Sequence, residues 1–317
     1  MHSDYKLNIL HTPAVKEDEG RMVLCKDIFT LDVKLHRHMC AIDPYYDLIC
    51  KSVRNNNFWA DLKIWWEEYG KDTFIVGVYH KPTHTYVGAG IARTVGNKLS
   101  MMIETVYIEE EHRGKGILRG LTDMYQDICK RIGVSSLTIN SSSVNGTVTE
   151  QYAHLGFIPY TYQYAAIINP KGKHPKSTFE LTRYAGMDAI KVSPRLAGTR
   201  RKLNPIVRSL TDNLFMYNQS LPYMNWMVGG VSKARMFYTV EPEEIQAIFN
   251  IEYLHESSFK KIELDENAGK VFLYDIRQAY PKVKIVLAHA LCGDTEYHRY
   301  LEKLGMTLLH TRAYRKV

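Results

Sequence analysis

The chain has 317 residues, of which 45% are hydrophobic and 24% charged, and a formal net charge of +7. This composition is typical of a globular protein, the length predicts two domains, and no apolar run approaches the ~20 residues of a membrane-spanning helix. The N-terminus lacks the apolar core of a signal peptide and the five cysteines form no CxxC pair, so we expect a cytoplasmic protein with reduced thiols.

The first hundred residues predict a strand, a helical region and an antiparallel meander. The strand is expected at 5–10, the helices at 14–30 and 43–70, and the meander strands at 73–79, 86–94 and 99–108. The second helix carries an aromatic and apolar stripe at helical spacing, which we expect to pack on the sheet. The stripe consists of Phe58, Trp59, Leu62, Trp65, Trp66 and Tyr69.

A glycine-containing loop, Arg113-Gly114-Lys115-Gly116, separates the strand that ends at Ile108 from a helix predicted at 117–132. Glycines let the backbone approach a ligand closely, and a helix N-terminus carries partial positive charge, so the loop predicts a phosphate-binding site. A Walker-type loop does not fit, because Lys115 precedes Gly116 and no Ser or Thr follows. A dinucleotide fingerprint does not fit either, because Arg119 stands where its third glycine belongs.

The segment after this helix supplies the context for the loop. A strand is predicted at 134–139, a helix begins near Asn145, and Tyr152 and Gly156-Phe157 follow. Over roughly residues 72–168 this order resembles the GCN5-related N-acetyltransferase (GNAT) superfamily. The loop from Arg113 to Leu118 is similar to the family's motif A, although the family usually has a small residue at the position of Leu118.

The resemblance implies an acyl-CoA donor, with acetyl-CoA expected, and assigns roles to individual residues. Glu104 is the candidate general base and Tyr152 the candidate acid that protonates the CoA thiolate. The implied cofactor-binding residues are Val106, Tyr107, Ile108, Arg113, Gly114, Lys115, Gly116, Ile117, Leu118 and Asn145. Among them, the backbone N–H groups of residues 106–108 polarise the acetyl carbonyl, the loop holds the pyrophosphate, and Asn145 contacts the pantetheine arm.

Each of these residues also has a simpler interpretation. Glu104 can be an ordinary glutamate on a sheet face, Tyr152 can serve packing alone, and Asn145 can be only a helix N-cap. The aromatic stripe at 58–69 can, alternatively, form an acceptor pocket, because the family binds its acceptor between this helical region and the sheet. The thirteen histidines show no metal-ligand spacing, so no metal is expected; His36 and His38 are interpreted as surface or core polar residues.

The second half repeats the plan of the first at an offset of 149 residues, which aligns Gly305 with Gly156. On this offset Asp294 replaces Asn145 and Leu301 replaces Tyr152. The loop position falls at 262–267, where three acidic residues would repel a pyrophosphate. We therefore expect an α/β (α+β) protein of two GNAT-like domains, each a mixed, mostly antiparallel sheet flanked by helices. Residues 1–176 would form the catalytic domain and residues 177–317 a degenerate one.

These patterns predict an acyl-CoA-dependent N-acyltransferase that acts on a small-molecule or protein amine, as a monomer or homodimer without membrane attachment. Residues 171–208 contain ten Lys and Arg residues against two acidic ones, so a nucleic-acid partner stays open. The alternatives are acyl or aminoacyl transfer to a nucleic-acid-linked acceptor, and a non-catalytic protein that binds CoA or nucleic acid.

Overall fold

A computed structural model describes most of the chain in two compact units. It describes residues 1–13, 26–49, 67, 70–95, 99–167, 180–184, 194–215, 223–228, 231–240, 246–254 and 265–317. The first unit comprises Met1–Ile158 and Arg312–Val317, and the second comprises Pro159–Thr311. The predicted domain boundary after residue 176 lies outside the described residues and stays a prediction. No described helix is long and apolar enough to cross a membrane.

The first unit is a sheet with helices packed on it. Its elements are β1 (Tyr5–His11), α1 (Lys26–Ile42), α2 (Pro44–Ile49), β2 (Thr73–His80), β3 (Thr85–Val95), β4 (Ser100–Ile108), α3 (Ile117–Ile132), β5 (Ser136–Ser142) and α4 (Gly146–His154). Strands β1 to β4 form an antiparallel meander, and β5 pairs in parallel with β4. The predicted meander and the helix at 117–132 are therefore confirmed.

Helix α3 connects the two parallel strands and forms much of the core. Its apolar residues recur every three or four positions, so one face is buried against the sheet while the other stays polar. Ile117, Leu121 and Tyr125 on this face are at most 2% exposed. The helix ends at Gly133, which adopts a left-handed conformation with φ of 74° and closes the C-terminus.

The helical region before the sheet differs from the sequence prediction. Helix α1 continues to Ile42, where the sequence predicted that the first helix would end at residue 30. Ile28, Leu31 and Met39 are buried and lie at helical spacing, which explains why the helix continues. Segment 14–25 lies outside the described residues, and so do all six residues of the aromatic stripe at 58–69. Glu67 is described, but it does not belong to the stripe.

The second unit repeats the plan of the first. Its elements are β6 (Ile158–Ile167), β7 (Glu180–Tyr184), α5 (Pro194–Arg201), α6 (Pro205–Phe215), β8 (Tyr223–Val228), β9 (Val231–Val240), β10 (Gln246–Leu254), α7 (Glu266–Ala279), β11 (Ile285–Leu291), α8 (Thr295–Lys303) and β12 (Thr307–Lys316), with Ile158 and the end of β12 assigned to the first unit. Strands β7 to β10 form an antiparallel meander, β11 is parallel to β10, and β6 is antiparallel to β11.

The repeat has the predicted offset. Strand β5 starts at Ser136 and β11 at Ile285, α4 starts at Gly146 and α8 at Thr295, and both pairs are 149 residues apart. The glycines that end the two helices, Gly156 and Gly305, both have positive φ. The expected α/β class, with mostly antiparallel sheets flanked by helices, is therefore confirmed.

Candidate active site

The two parallel strands of the first unit separate at Glu104. Strand β4 pairs with β5 only from Ser100 to Ile103, and residues 104–108 have no partner on β5. The ladder between β3 and β4 shifts register at the same place, so that Glu104 is the extra residue of a β-bulge. A bulge bends its strand and increases its twist, which opens a gap between the ends of β4 and β5. Backbone N–H groups along this edge of β4 are thus released from the sheet toward the gap.

The predicted phosphate loop lies directly after β4. Gly114 and Gly116 have φ of 75° and 73°, a left-handed conformation that side chains with a Cβ rarely adopt. Gly116 is the N-cap of α3, and the N–H groups of the first turn have no partner within the helix. Nε of Arg113 donates to the carbonyl oxygen of Ile108 at 3.0 Å, which ties the loop to the end of β4.

A cleft of about 580 Å³ lies between the end of β4, the loop and α4. Ten of the twelve predicted site residues line it, and the two that do not are Glu104 and Lys115. The sequence interpretation missed further lining residues, among them Leu35 and His38 on α1, Arg119 in the first turn of α3, and Thr147, Gln151 and His154 on α4. Apart from Arg119, these residues belong to no recognisable sequence motif, and only the folded structure brings them to the cleft.

The charges around the cleft suit an anionic ligand. Arg113 and Arg119 both line it, and no carboxylate does so among the described residues. Glu109, Glu111 and His112 are close enough to share a cation, but the Oε1 atom of Glu109 already accepts a hydrogen bond from the ammonium of Lys34. Exposed acidic groups are common without a metal ion, so these three residues by themselves do not indicate a metal site.

Asn145 occupies the N-cap position of α4, but its side chain makes no capping hydrogen bond. At the equivalent position of the second unit, the side chain of Asp294 does cap, accepting from the N–H of Tyr297 at 3.3 Å. The interpretation of Asn145 as only a cap therefore has no support in its side-chain contacts. Asn145 lines the cleft, and its amide can both donate and accept hydrogen bonds.

Tyr152 lies at the wall of the cleft with 6% of its surface exposed. Its ring packs edge-on against Phe157, with centroids 5.3 Å apart. Burial raises the pKa of the Tyr152 hydroxyl well above its ordinary value, because the anionic phenolate would lose its hydration. The hydroxyl therefore keeps its proton at neutral pH and can donate it to a base formed in the cleft.

Glu104 is held by an ion pair with Arg93 on the neighbouring strand. Its Oε1 atom accepts from Nε of Arg93 at 2.8 Å and lies 2.7 Å from Nη2, and both side chains are mostly buried. A carboxylate that is engaged by a guanidinium on β3 and does not line the cleft is poorly placed to take a proton from a ligand there. The pair instead holds the bulged residue of β4 in place.

The second unit fills the corresponding groove with its own side chains. Tyr300, equivalent to Gln151, is 3% exposed and its hydroxyl donates to the carbonyl oxygen of Asp265 at 3.2 Å. The ring lies so close to Gly269 in α7 that a Cβ there would be 2.4 Å from the Tyr300 oxygen. Tyr297 stacks beside it with ring centroids 6.0 Å apart. This packing joins α7 to α8, the helices that correspond to α3 and α4.

Comparison with known proteins is consistent with this geometry. Residues 42–157 match the model of the acetyltransferase (GNAT) family. The whole chain shares its fold with a GCN5-related N-acetyltransferase from Sphaerobacter thermophilus: the TM-score is 0.57 at 11% identity, over 100% of this chain and 96% of that one.

Two further structures are similar at lower scores. A tandem GNAT protein from the clavulanic acid biosynthesis pathway has a TM-score of 0.45 at 11% identity, over 77% of this chain and 82% of its own. A putative acetyltransferase from Pyrococcus horikoshii has a TM-score of 0.45 at 10% identity, over 100% and 91%. None of the curated proteins compared with the chain matches it.

Proposed function

We propose, from the membership of residues 42–157 in the acetyltransferase (GNAT) family, that the chain transfers an acyl group, with acetyl expected, from CoA to an amine. The observation that carries the proposal is the cleft in the first unit. It combines left-handed glycines at the start of α3, a gap between two parallel strands, and a protonated tyrosine in its wall.

The proposed donor site follows the length of the cleft. Gly114, Gly116 and the first turn of α3 would hold the pyrophosphate through backbone N–H groups, with Arg113 and Arg119 supplying positive charge. The Asn145 amide would bind the pantetheine arm, and the N–H groups of residues 106–108 would stabilise the charge that develops on the acyl carbonyl oxygen. Lys115 is exposed and would act only through its backbone.

The proposed reaction is direct attack of the amine on the thioester. Tyr152 would protonate the thiolate as it leaves, since its hydroxyl is held protonated by burial. The assignment of Glu104 as the base stays untested, and its ion pair with Arg93 gives it little support. The acceptor also stays open between small-molecule, protein and nucleic-acid-linked amines, because most of the basic segment 171–208 lies outside the described residues.

The second unit is proposed to bind no acyl-CoA. Tyr297 and Tyr300 fill the groove, and Leu301 stands in the place of Tyr152. This explains why the chain would need only one donor site, and it agrees with the acidic sequence at 262–267. The second unit would then serve architecture or acceptor binding.

Calorimetric titration with acetyl-CoA tests the donor site. The Gly114→Ala variant, in the loop before α3, should weaken acetyl-CoA binding about tenfold or more, or about 1.4 kcal/mol: its Cβ meets no protein atom within 4 Å, but it would enter the space proposed for the pyrophosphate. Gly133→Ala is the matched control: φ is 74° at the other end of the same helix, and a Cβ there meets nothing within 4 Å. Both variants strain the backbone, but only the first should lose affinity. Absence of binding by the wild-type chain, or equal losses in both variants, would contradict the proposed donor site.

A further inference from the structure

An amine that attacks a thioester has to give up a proton, yet no carboxylate lines the described part of the cleft. Glu104 is engaged by Arg93. The lining does contain two histidines, His38 and His154. Histidine is the side chain whose ordinary pKa lies near neutrality, which suits a general base.

We propose that His38 is the catalytic base that accepts the proton of the attacking amine; this rests on the proposed acyltransferase function. The first support is the way α1 is anchored. Lys34, one turn before His38, forms an ion pair with Glu109, the residue that follows β4, and this hydrogen bond raises the pKa of Lys34. Lys34, in the middle of α1, thereby holds this helix beside the end of β4.

The other end of α1 is held at β5. Asp43 follows α1 directly, is fully buried, and its Oδ2 atom accepts from the Ser142 hydroxyl at the end of β5 at 3.3 Å. Its Oδ1 atom accepts from the N–H of Tyr45 at 2.9 Å and so begins α2. Helix α1 is thus attached to both strands that separate at Glu104. His38 lies between the two attachments along α1 and lines the cleft.

The position of His154 favours a different role. It is the last residue of α4, about 12 Å along the helix from the end where Asn145 lies. His38 is instead on α1, whose end is held beside the end of β5 by the hydrogen bond between Asp43 and Ser142. The imidazole of His38 is also exposed, so a proton that it accepts can pass to water.

The proposed step moves one proton to His38 and one proton from Tyr152. The amine nitrogen forms a bond to the carbonyl carbon, and the proton that it carries moves to a ring nitrogen of His38. The bond between carbon and sulfur breaks, and the sulfur takes the proton of the Tyr152 hydroxyl. The imidazolium then returns a proton to the tyrosinate through solvent, which leaves an amide, free CoA thiol and the starting form of the protein.

Charged groups near His38 affect its titration and enter the expected pH profile. Around the cleft and on the elements beside it these groups include Asp32, Lys34, His36, Arg37, Asp43, Tyr45, Tyr46, Asp47, Tyr107, Glu109, Arg113, Arg119, Glu150, Tyr152 and His154. The charges of Lys34 and Glu109 offset each other in their ion pair. The positive charges of Arg113 and Arg119 would be neutralised by the phosphates of a bound donor.

The test compares three variants: His38→Gln, His154→Gln as the matched control, and Glu104→Gln as the competing base. The assay uses acetyl-CoA with ethylamine, tyramine, spermidine, glucosamine and a lysine-containing peptide, and follows release of the CoA thiol against pH. His38→Gln should lower kcat on the order of 100-fold and remove the fall in kcat/KM at acid pH. Its affinity for acetyl-CoA should change less than about twofold, and His154→Gln should keep the acid limb.

A spectroscopic measurement tests the proposed role of His38 even if none of these amines is acetylated. In a protein labelled with ¹³C at histidine, the His38 signal is assigned by its loss in His38→Gln. It should differ between the complexes with CoA and with acetonyl-CoA, a ketone analogue of the donor. Identical signals in the two complexes, or an acid limb that survives in His38→Gln and disappears in Glu104→Gln, would overturn the proposal. Failure of the wild-type chain to bind acetyl-CoA would instead reject the proposed function.

Discussion

At the scale of single residues, Tyr152 shows how burial keeps a hydroxyl protonated. The residue has 6% of its surface exposed, and its ring packs edge-on against Phe157. Burial raises the pKa of this hydroxyl, so the proton is retained at every pH below the ordinary tyrosine value of about 10. A thiolate formed in the cleft is the kind of base that can remove it.

Replacing Tyr152 by phenylalanine should therefore lower kcat about 100-fold or more, while the ring still packs against Phe157. The dissociation constant of acetyl-CoA should stay within about threefold of the wild-type value. Steady-state kinetics and calorimetry on the same preparation measure both quantities. Since the folded pKa lies above the ordinary value, ionisation of Tyr152 should cause no fall in rate below about pH 10 in the wild-type enzyme. A variant with unchanged kcat would show that Tyr152 serves packing alone.

At the scale of elements, the site depends on how β3 and β4 run against α3. Glu104 and Arg93 join the two strands at the bulge, and beyond it β4 separates from β5. Gly90 on β3 pairs with Val106, the first of the three residues proposed to bind the acyl carbonyl. Behind this pair lies the fully buried Tyr125 of α3, so the strand can approach the helix only where a side chain is missing.

Gly90→Ala should destabilise the protein by about 1–3 kcal/mol, because overpacking a tight core forces a shift of its neighbours. The new Cβ would be 2.8 Å from the Tyr125 hydroxyl oxygen and 3.0 Å from the ring carbon Cε2. Gly146→Ala provides the comparison, since a Cβ at that position in α4 meets nothing within 4 Å and alanine favours a helix. Urea unfolding measures the free energy of unfolding of both variants. Equal values would mean that Tyr125 and β3 shift to accommodate the new Cβ without loss of stability.

At the scale of the whole molecule, the described residues show one structural plan that occurs twice. The second unit retains the meander and the parallel pair of β10 and β11, in which only residues 246–248 of β10 pair with β11. Tyr300 in its α8 bonds to the backbone before α7 and lies against Gly269. We propose that this packing fills the groove in which the second unit would otherwise hold a ligand.

Titration with acetyl-CoA should accordingly saturate at about one donor per chain, because the filled groove has no space for a pantetheine arm. Calorimetry or native mass spectrometry measures the stoichiometry. Tyr300→Gln, which restores the residue type found at Gln151, should not raise it, since the acidic residues at 262–267 would still repel a pyrophosphate. Saturation at two donors in the wild-type chain would contradict the proposed loss of the second site.

The features that the sequence by itself determined are those in which a residue's own backbone conformation restricts which amino acid can occupy the position. Gly116 and Gly133 bound α3 at the predicted residues, because left-handed positions strongly favour glycine. The phosphate loop, the helix near Asn145 and the repeat at 149 residues follow from similar short-range patterns. Helix α1 was less predictable: its buried stripe includes Asp32, which weakens the apolar period, and only packing on the sheet shows that the helix continues to Ile42.

The tertiary structure alone decided which side chains reach the cleft. Arg93 forms an ion pair with Glu104, the Tyr300 hydroxyl bonds to the backbone before α7, and His38 lines the cleft. The contacts behind these results join distant positions: Asp43 and Ser142, which place α1 against the end of β5, are 99 residues apart. Short motifs report the backbone conformation that their own residues require. The surroundings of a side chain depend on packing between distant segments, and that packing is settled only when the whole unit folds.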